Sequence, residues 1–161
     1  MKTGFAIALL ALFPLLADAE HATINLSVFR GTDATSEAAG ASDQEPPPGG
    51  VRKREALKVK ANEPLTLQFV YINTYPHGVT KDVTIRWFVV RQEKLGQKLV
   101  PELKSGVVVQ GHFNLNFKPK GRVGARVAFK VPEPGVYLLR VDSLNTNSDH
   151  EHFAAIDLEV E

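Results

Sequence analysis

Short runs in which side chains alternate in character from one residue to the next dominate this chain, and they commit it to β-structure. Leu65, Leu67, Phe69 and Tyr71 alternate with Thr66, Gln68, Val70 and Ile72, and Val83, Ile85, Trp87 and Val89 alternate with Thr84, Arg86, Phe88 and Val90. Phe113, Leu115 and Phe117 are separated by Asn114 and Asn116, and Ile156, Leu158 and Val160 by Asp157 and Glu159. A period of two sends successive side chains to opposite faces of an extended strand. Shorter runs at Ile24-Leu26-Val28, Leu57-Val59, Val107 to Val109, Val127-Phe129-Val131 and Val136 to Val141 have the same β-branched and aromatic bias. Turn residues punctuate them, as in Pro119-Lys120-Gly121 and Pro132-Glu133-Pro134-Gly135. No segment carries a helical period, and no internal repeat is present. The pattern predicts an all-β, antiparallel sandwich of about seven to nine strands.

Two details sharpen that expectation. Trp87 lies mid-strand with apolar neighbours two residues away, the setting of a core tryptophan between two sheets. Pro134-Gly135-Val136-Tyr137 is placed where a tyrosine hydroxyl can bond back to the corner before a penultimate strand. Together they resemble immunoglobulin and fibronectin-III domains, more particularly small secreted bacterial sandwiches of that kind, over roughly Glu55 to Glu161. The resemblance implies an architecture and no activity. The chain has no cysteine, so the inter-sheet disulfide of antibody domains is absent.

The N-terminus reads as an export signal. Lys2 supplies a positive end, Gly4 to Leu16 is apolar apart from Pro14, and Ala17-Asp18-Ala19 has the small-x-small form of a cleavage site. Residues 1–19 are therefore expected to be removed, leaving a secreted or periplasmic chain that begins at Glu20. The apolar run is shorter than the roughly 20 residues that cross a bilayer, so no membrane span is expected in the mature chain. Residues 20–30 hold a first strand. Residues 31–50, rich in Ala, Ser, Gly and Pro without a large apolar side chain, read as a disordered loop or linker. Residues 51–161 form the main domain, with which the first strand is expected to pair.

Charge narrows the partners. Nineteen Lys and Arg oppose eighteen Asp and Glu, for a formal net charge of +1, which does not point to nucleic acid. The run Val51-Arg52-Lys53-Arg54 is expected to be a solvated cluster. No nucleophile elbow, phosphate-cradling glycine loop or zinc-protease helix occurs, so no catalytic residue is assigned. Asn25-Leu26-Ser27 fits a glycosylation acceptor but falls within a predicted strand.

Three constellations remain. In Ser148-Asp149-His150-Glu151-His152, an extended backbone puts His150 and His152 on one face, where zinc or copper is a possible cofactor, with His77 or His112 as third ligand. The same residues equally suit a polar loop that satisfies its own backbone. His21 would add a copper-chelating terminus only if cleavage followed Glu20, against the small-residue pattern. The turn around Tyr75-Pro76-His77-Gly78 presents an aromatic and an imidazole at a loop tip, a place where sandwiches recognise partners or simply a well-made turn. Finally, Phe88 shares its strand with Trp87 on opposite faces, so this strand is either covered on both sides, by the first strand and linker, or offers an apolar patch. The leading expectation is a non-enzymatic extracytoplasmic binding module for an extracytoplasmic protein or envelope component, with Tyr75, His77 and Phe88 as contact residues. The alternative is a protein that binds or handles a divalent metal.

Overall fold

The structure, a computed structural model, describes residues 22–32, 39–42, 54–75, 78–145 and 152–161. The expected signal peptide, most of the 31–50 segment, His21, His77 and the segment with His150 lie outside the described residues. The rest is all-β. Nine strands run in order: β1 Ala22–Arg30, β2 Gly40–Ser42, β3 Ala56–Val59, β4 Leu65–Asn73, β5 Thr80–Gln92, β6 Val107–Phe117, β7 Arg122–Phe129, β8 Gly135–Asn145 and β9 His152–Val160. They form two sheets, ordered β2-β1-β4-β7 and β3-β9-β8-β5-β6.

Alternation assigns the inner faces. Ile24, Leu26 and Val28 of β1, Leu65, Leu67, Phe69 and Tyr71 of β4, and Val83, Ile85 and Val89 of β5 are buried in one cluster. Leu139 and Val141 of β8 and Ile156, Leu158 and Val160 of β9 complete it. Strand β1 pairs antiparallel with β4 along its whole length, so the first strand is an integral part of the smaller sheet. Burial pushes the Tyr71 phenol up to about 12, beside Phe117 at a ring separation of 4.7 Å.

Two expectations about strand organisation are corrected. The sandwich is not wholly antiparallel: β3 runs parallel to β9, with Leu57 opposite Leu158 and Val59 opposite Val160. Val107 to Val109 is not a separate strand but the start of β6. It is set off by a register shift between Val89 and Val90 that leaves Val108 without an opposite number on β5.

The middle of the larger sheet is buried on both faces. Behind it, Phe88, Val90, Leu138 and Ala155 form a second cluster, closed by Leu103, Val107 and Phe153. Among the described residues the cover comes from the β5–β6 connection, residues 93–106, through Leu103, while the first strand lies in the opposite sheet. Asp157 holds that connection down. Its carboxylate accepts from the Gly96 N–H, from Arg54 Nε at 2.9 Å and from Gln92 Nε2 at 2.9 Å, while Arg54 also donates to the Gln97 carbonyl. Arg54, expected to be solvated, is thus a partly buried anchor. Phe88 has no exposed surface at all, so the contact patch expected there does not exist.

The corner before β8 is fastened by a tyrosine. Gly135, at φ 146°, starts the strand, and Tyr137 Oη donates to the Glu133 carbonyl at 3.0 Å.

Candidate functional site

The described histidines do not meet. His112 lies opposite Arg86, whose next neighbour across β8 is Asp142, with Phe153 beyond it on β9. That row is on the outer face. His152 instead lies in the row of Ser143, Ile85 and Phe113, on the inner face. Three strand spacings, about 14 Å, and the sheet itself separate the two rings. Among the described residues, no three His, Asp or Glu side chains come together to hold a metal ion. Tyr75 is exposed, and its N–H donates to Asn73 Oδ1. Asn73 itself is fully buried. It donates from Nδ2 to the Lys118 carbonyl and from its backbone N–H to the Gly121 carbonyl, tying the β4–β5 turn to the β6–β7 turn.

On the outer face the row beside His112 carries a charge cluster. Asp142 is fully buried and accepts two hydrogen bonds from Arg86, at 2.9 and 2.8 Å, and one from Arg140 Nε at 3.1 Å. The Arg140 guanidinium lies 4.0 Å from the centre of the Phe153 ring. These groups fix β5 to β8 across the outer face of the larger sheet. Neither Arg140 nor Asp142 is exposed to a ligand.

One flank of the sandwich is built differently. Among the described residues, strands β6 and β7 stand at the ends of their sheets, each with a single hydrogen-bonded neighbour. The inward positions Val109, Gly111, Phe113 and Leu115 on β6 and Val123, Ala125 and Val127 on β7 are only partly covered, whereas Phe117 and Phe129 at the ends of these strands are buried; Leu115 is 38% exposed. Equivalent positions on β1, β4, β8 and β9 are buried. Trp87 belongs to this flank. Its indole is half-buried, 5.6 Å from the Phe69 ring and 5.5 Å from that of Phe113, and it lies over Gly111. A Cβ at position 111 would stand 2.2 Å from the indole, so only glycine leaves room for the ring. The opposite flank is blunted by the short strands β2 and β3, which is how sheets commonly shield their edges.

The backbone of β7 completes the site. Asn73 and Gly121 form a hydrogen-bonded pair, and antiparallel pairing alternates. Val123, Ala125, Val127 and Phe129 therefore exchange hydrogen bonds with β4, while Arg122, Gly124, Arg126 and Ala128 direct their N–H and C=O groups outward.

Charge singles out the same place. Residues 105–132 contain five Lys and Arg and not one of the chain's 18 acidic residues. Lys118, Lys120, Arg122, Arg126 and Lys130 are all exposed, along the β6–β7 turn and β7. The near-neutral net charge of the whole chain conceals this stretch. A running charge along the sequence would have found it; the partly open inner positions have no sequence signal, because they alternate as core positions do.

No protein-family model matches the chain, and no curated protein matches it in sequence. Solved structures that are similar in backbone include the following three. A family 123 glycoside hydrolase from Clostridium perfringens is similar over 66% of this chain and 23% of its own length, at 12% identity and a TM-score of 0.41. The C-terminal domain of wzt is similar over 65% of this chain and 63% of its own, at 11% identity and a TM-score of 0.41. The soluble domain of PmoD from Methylocystis sp. ATCC 49242 (Rockwell) is similar over 86% and 90%, at 13% identity and a TM-score of 0.44. The chain thus spans less than two thirds of the first two.

Proposed function

We propose that this chain is an exported, non-enzymatic binding module of the immunoglobulin/fibronectin-III-like kind, and that the flank between β6 and β7 is its contact surface. One observation carries the reading: a long strand edge, unpaired among the described residues, half-covered apolar side chains and an acid-free basic fringe coincide at one place. Two further features support the sandwich type. The order β1-β4-β7 stands against β9-β8-β5-β6, and the Tyr137 corner precedes the penultimate strand. Export rests on the 1–19 segment, with its positive end, apolar run and Ala17-Asp18-Ala19.

The reading is tested with the chain expressed in a secreting host. Its mature form is expected to begin at Glu20, read by N-terminal sequencing. Offered poly-glutamate, an anionic glycan and a neutral glycan, it is expected to bind at least one anionic polymer, more weakly as salt rises. The double variant Arg122→Glu, Arg126→Glu should lose that binding while its melting temperature stays close to that of the parent. Failure to bind any of the polymers, or binding indifferent to the double reversal, would contradict it.

A further inference from the structure

We infer that β7 receives an extended acidic peptide as an added strand, an inference that rests on reading the β6–β7 flank as the contact surface. The backbone states the first requirement. Arg122, Gly124, Arg126 and Ala128 direct alternate N–H and C=O groups away from β4, a row that only a second polypeptide matches at the strand rise of about 3.3 Å per residue. A glycan has no such repeat of donors and acceptors.

The inner faces state the second requirement. The sheet containing β7 has four strands against five, and at the β6 end of the larger sheet Trp87, Phe113 and Leu115 are left partly uncovered. A strand beside β7 extends the smaller sheet over these side chains.

Charge fixes the chemistry of the occupant. Residues directly opposite one another across a sheet share a face. Side chains opposite Arg122 and Arg126 therefore lie on the outer face and are best acidic, while those opposite Val123, Ala125 and Val127 point into the flank and are best apolar. Lys118, Lys120 and Lys130 extend the field at the two ends. A second copy of this chain would bring its own basic edge against the first, and like charges across a sheet repel. The occupant is thus a segment of another protein in which acidic and apolar residues alternate.

The test uses a synthetic peptide of alternating Glu and Val, about seven residues long to span β7, titrated into the purified exported chain by NMR. Two further peptides carry N-methyl groups on one or the other alternate set of amides, so that only one set is blocked toward β7. Shifts are expected at 122–128 and at the inner positions of β6. One methylated peptide should bind nearly as the parent does, and the other should lose about tenfold or more in affinity. Arg122→Glu with Arg126→Glu should weaken the acidic peptide and favour a Lys/Val counterpart. If both methylated peptides bind alike, the backbone edge is not used and strand addition is wrong, although an anionic contact at the flank stands. Self-association through β7 without peptide would make the occupant a second copy, against the inference. If neither the peptide nor any anionic polymer binds, the contact surface itself is misassigned.

Discussion

Asp142→Ala is expected to lose about 3–5 kcal/mol of folding stability, the usual effect of removing one partner from a buried ion pair. The size follows from where the carboxylate sits. Asp142 has no solvent exposure, and it holds Arg86 through both guanidinium arms and Arg140 through Nε. The Arg140 side chain is only 6% exposed, so the charge it carries stays inside after the carboxylate is gone. Asp142→Asn keeps the shape and one acceptor oxygen while removing the negative charge, and an intermediate loss is expected. Urea denaturation of the three proteins measures the series. A loss below about 1 kcal/mol for the alanine variant, the level of an exposed pair, would show that the cluster is solvated.

Phe69→Ala is the second large effect, also about 3–5 kcal/mol by the cost of truncating a buried phenylalanine. The ring is 1% exposed on the inner face of β4 and is the common neighbour of Trp87 and Phe113, at 5.6 and 6.3 Å. Its removal empties the floor beneath the β6–β7 flank. Trp87 is the chain's one tryptophan, so its emission is expected to shift to longer wavelength as the indole loses its inner partner. Unchanged emission with full stability would mean that Trp87 does not rest on Phe69.

These two sites mark what the sequence made legible and what it did not. Phe69 was plain from alternation, because inner residues of a sandwich repeat every second position and β4 does so without interruption. The Tyr137 corner was legible from Pro134-Gly135 for the same local reason. Asp142 and Asp157 were not. Both stand in strands where an acidic residue beside apolar ones reads as facing solvent. Asp157 is buried where residues 93–106 fold back and the Gly96 N–H meets it, and Asp142 where Arg86 and Arg140 close around it, tertiary events with no periodic signature. Phe88 carried half the clue, since an apolar outer face implies cover, but whether the cover belonged to the chain or to a partner depended on the same fold-back. The parallel pairing of β3 with β9 links residues about a hundred positions apart, and nothing local in Leu57 or Val59 announces it. At the flank, the apolar lining read as ordinary core and the basic fringe vanished into a net charge near zero. The histidine pair at 150 and 152 drew notice by spacing alone. Of the two histidines that the structure describes, His112 is outside the sandwich and His152 inside.

If a partner strand joins at β7, the edge of β7 is open in the free chain. Residue-resolved amide hydrogen exchange of the unliganded protein tests it most directly. Val123, Ala125 and Val127, whose N–H groups are donated to β4, are expected to exchange slowly, and Gly124, Arg126 and Ala128, directed outward, to exchange fast in strict alternation. Uniform protection along β7 would show the edge already occupied, and would contradict the account.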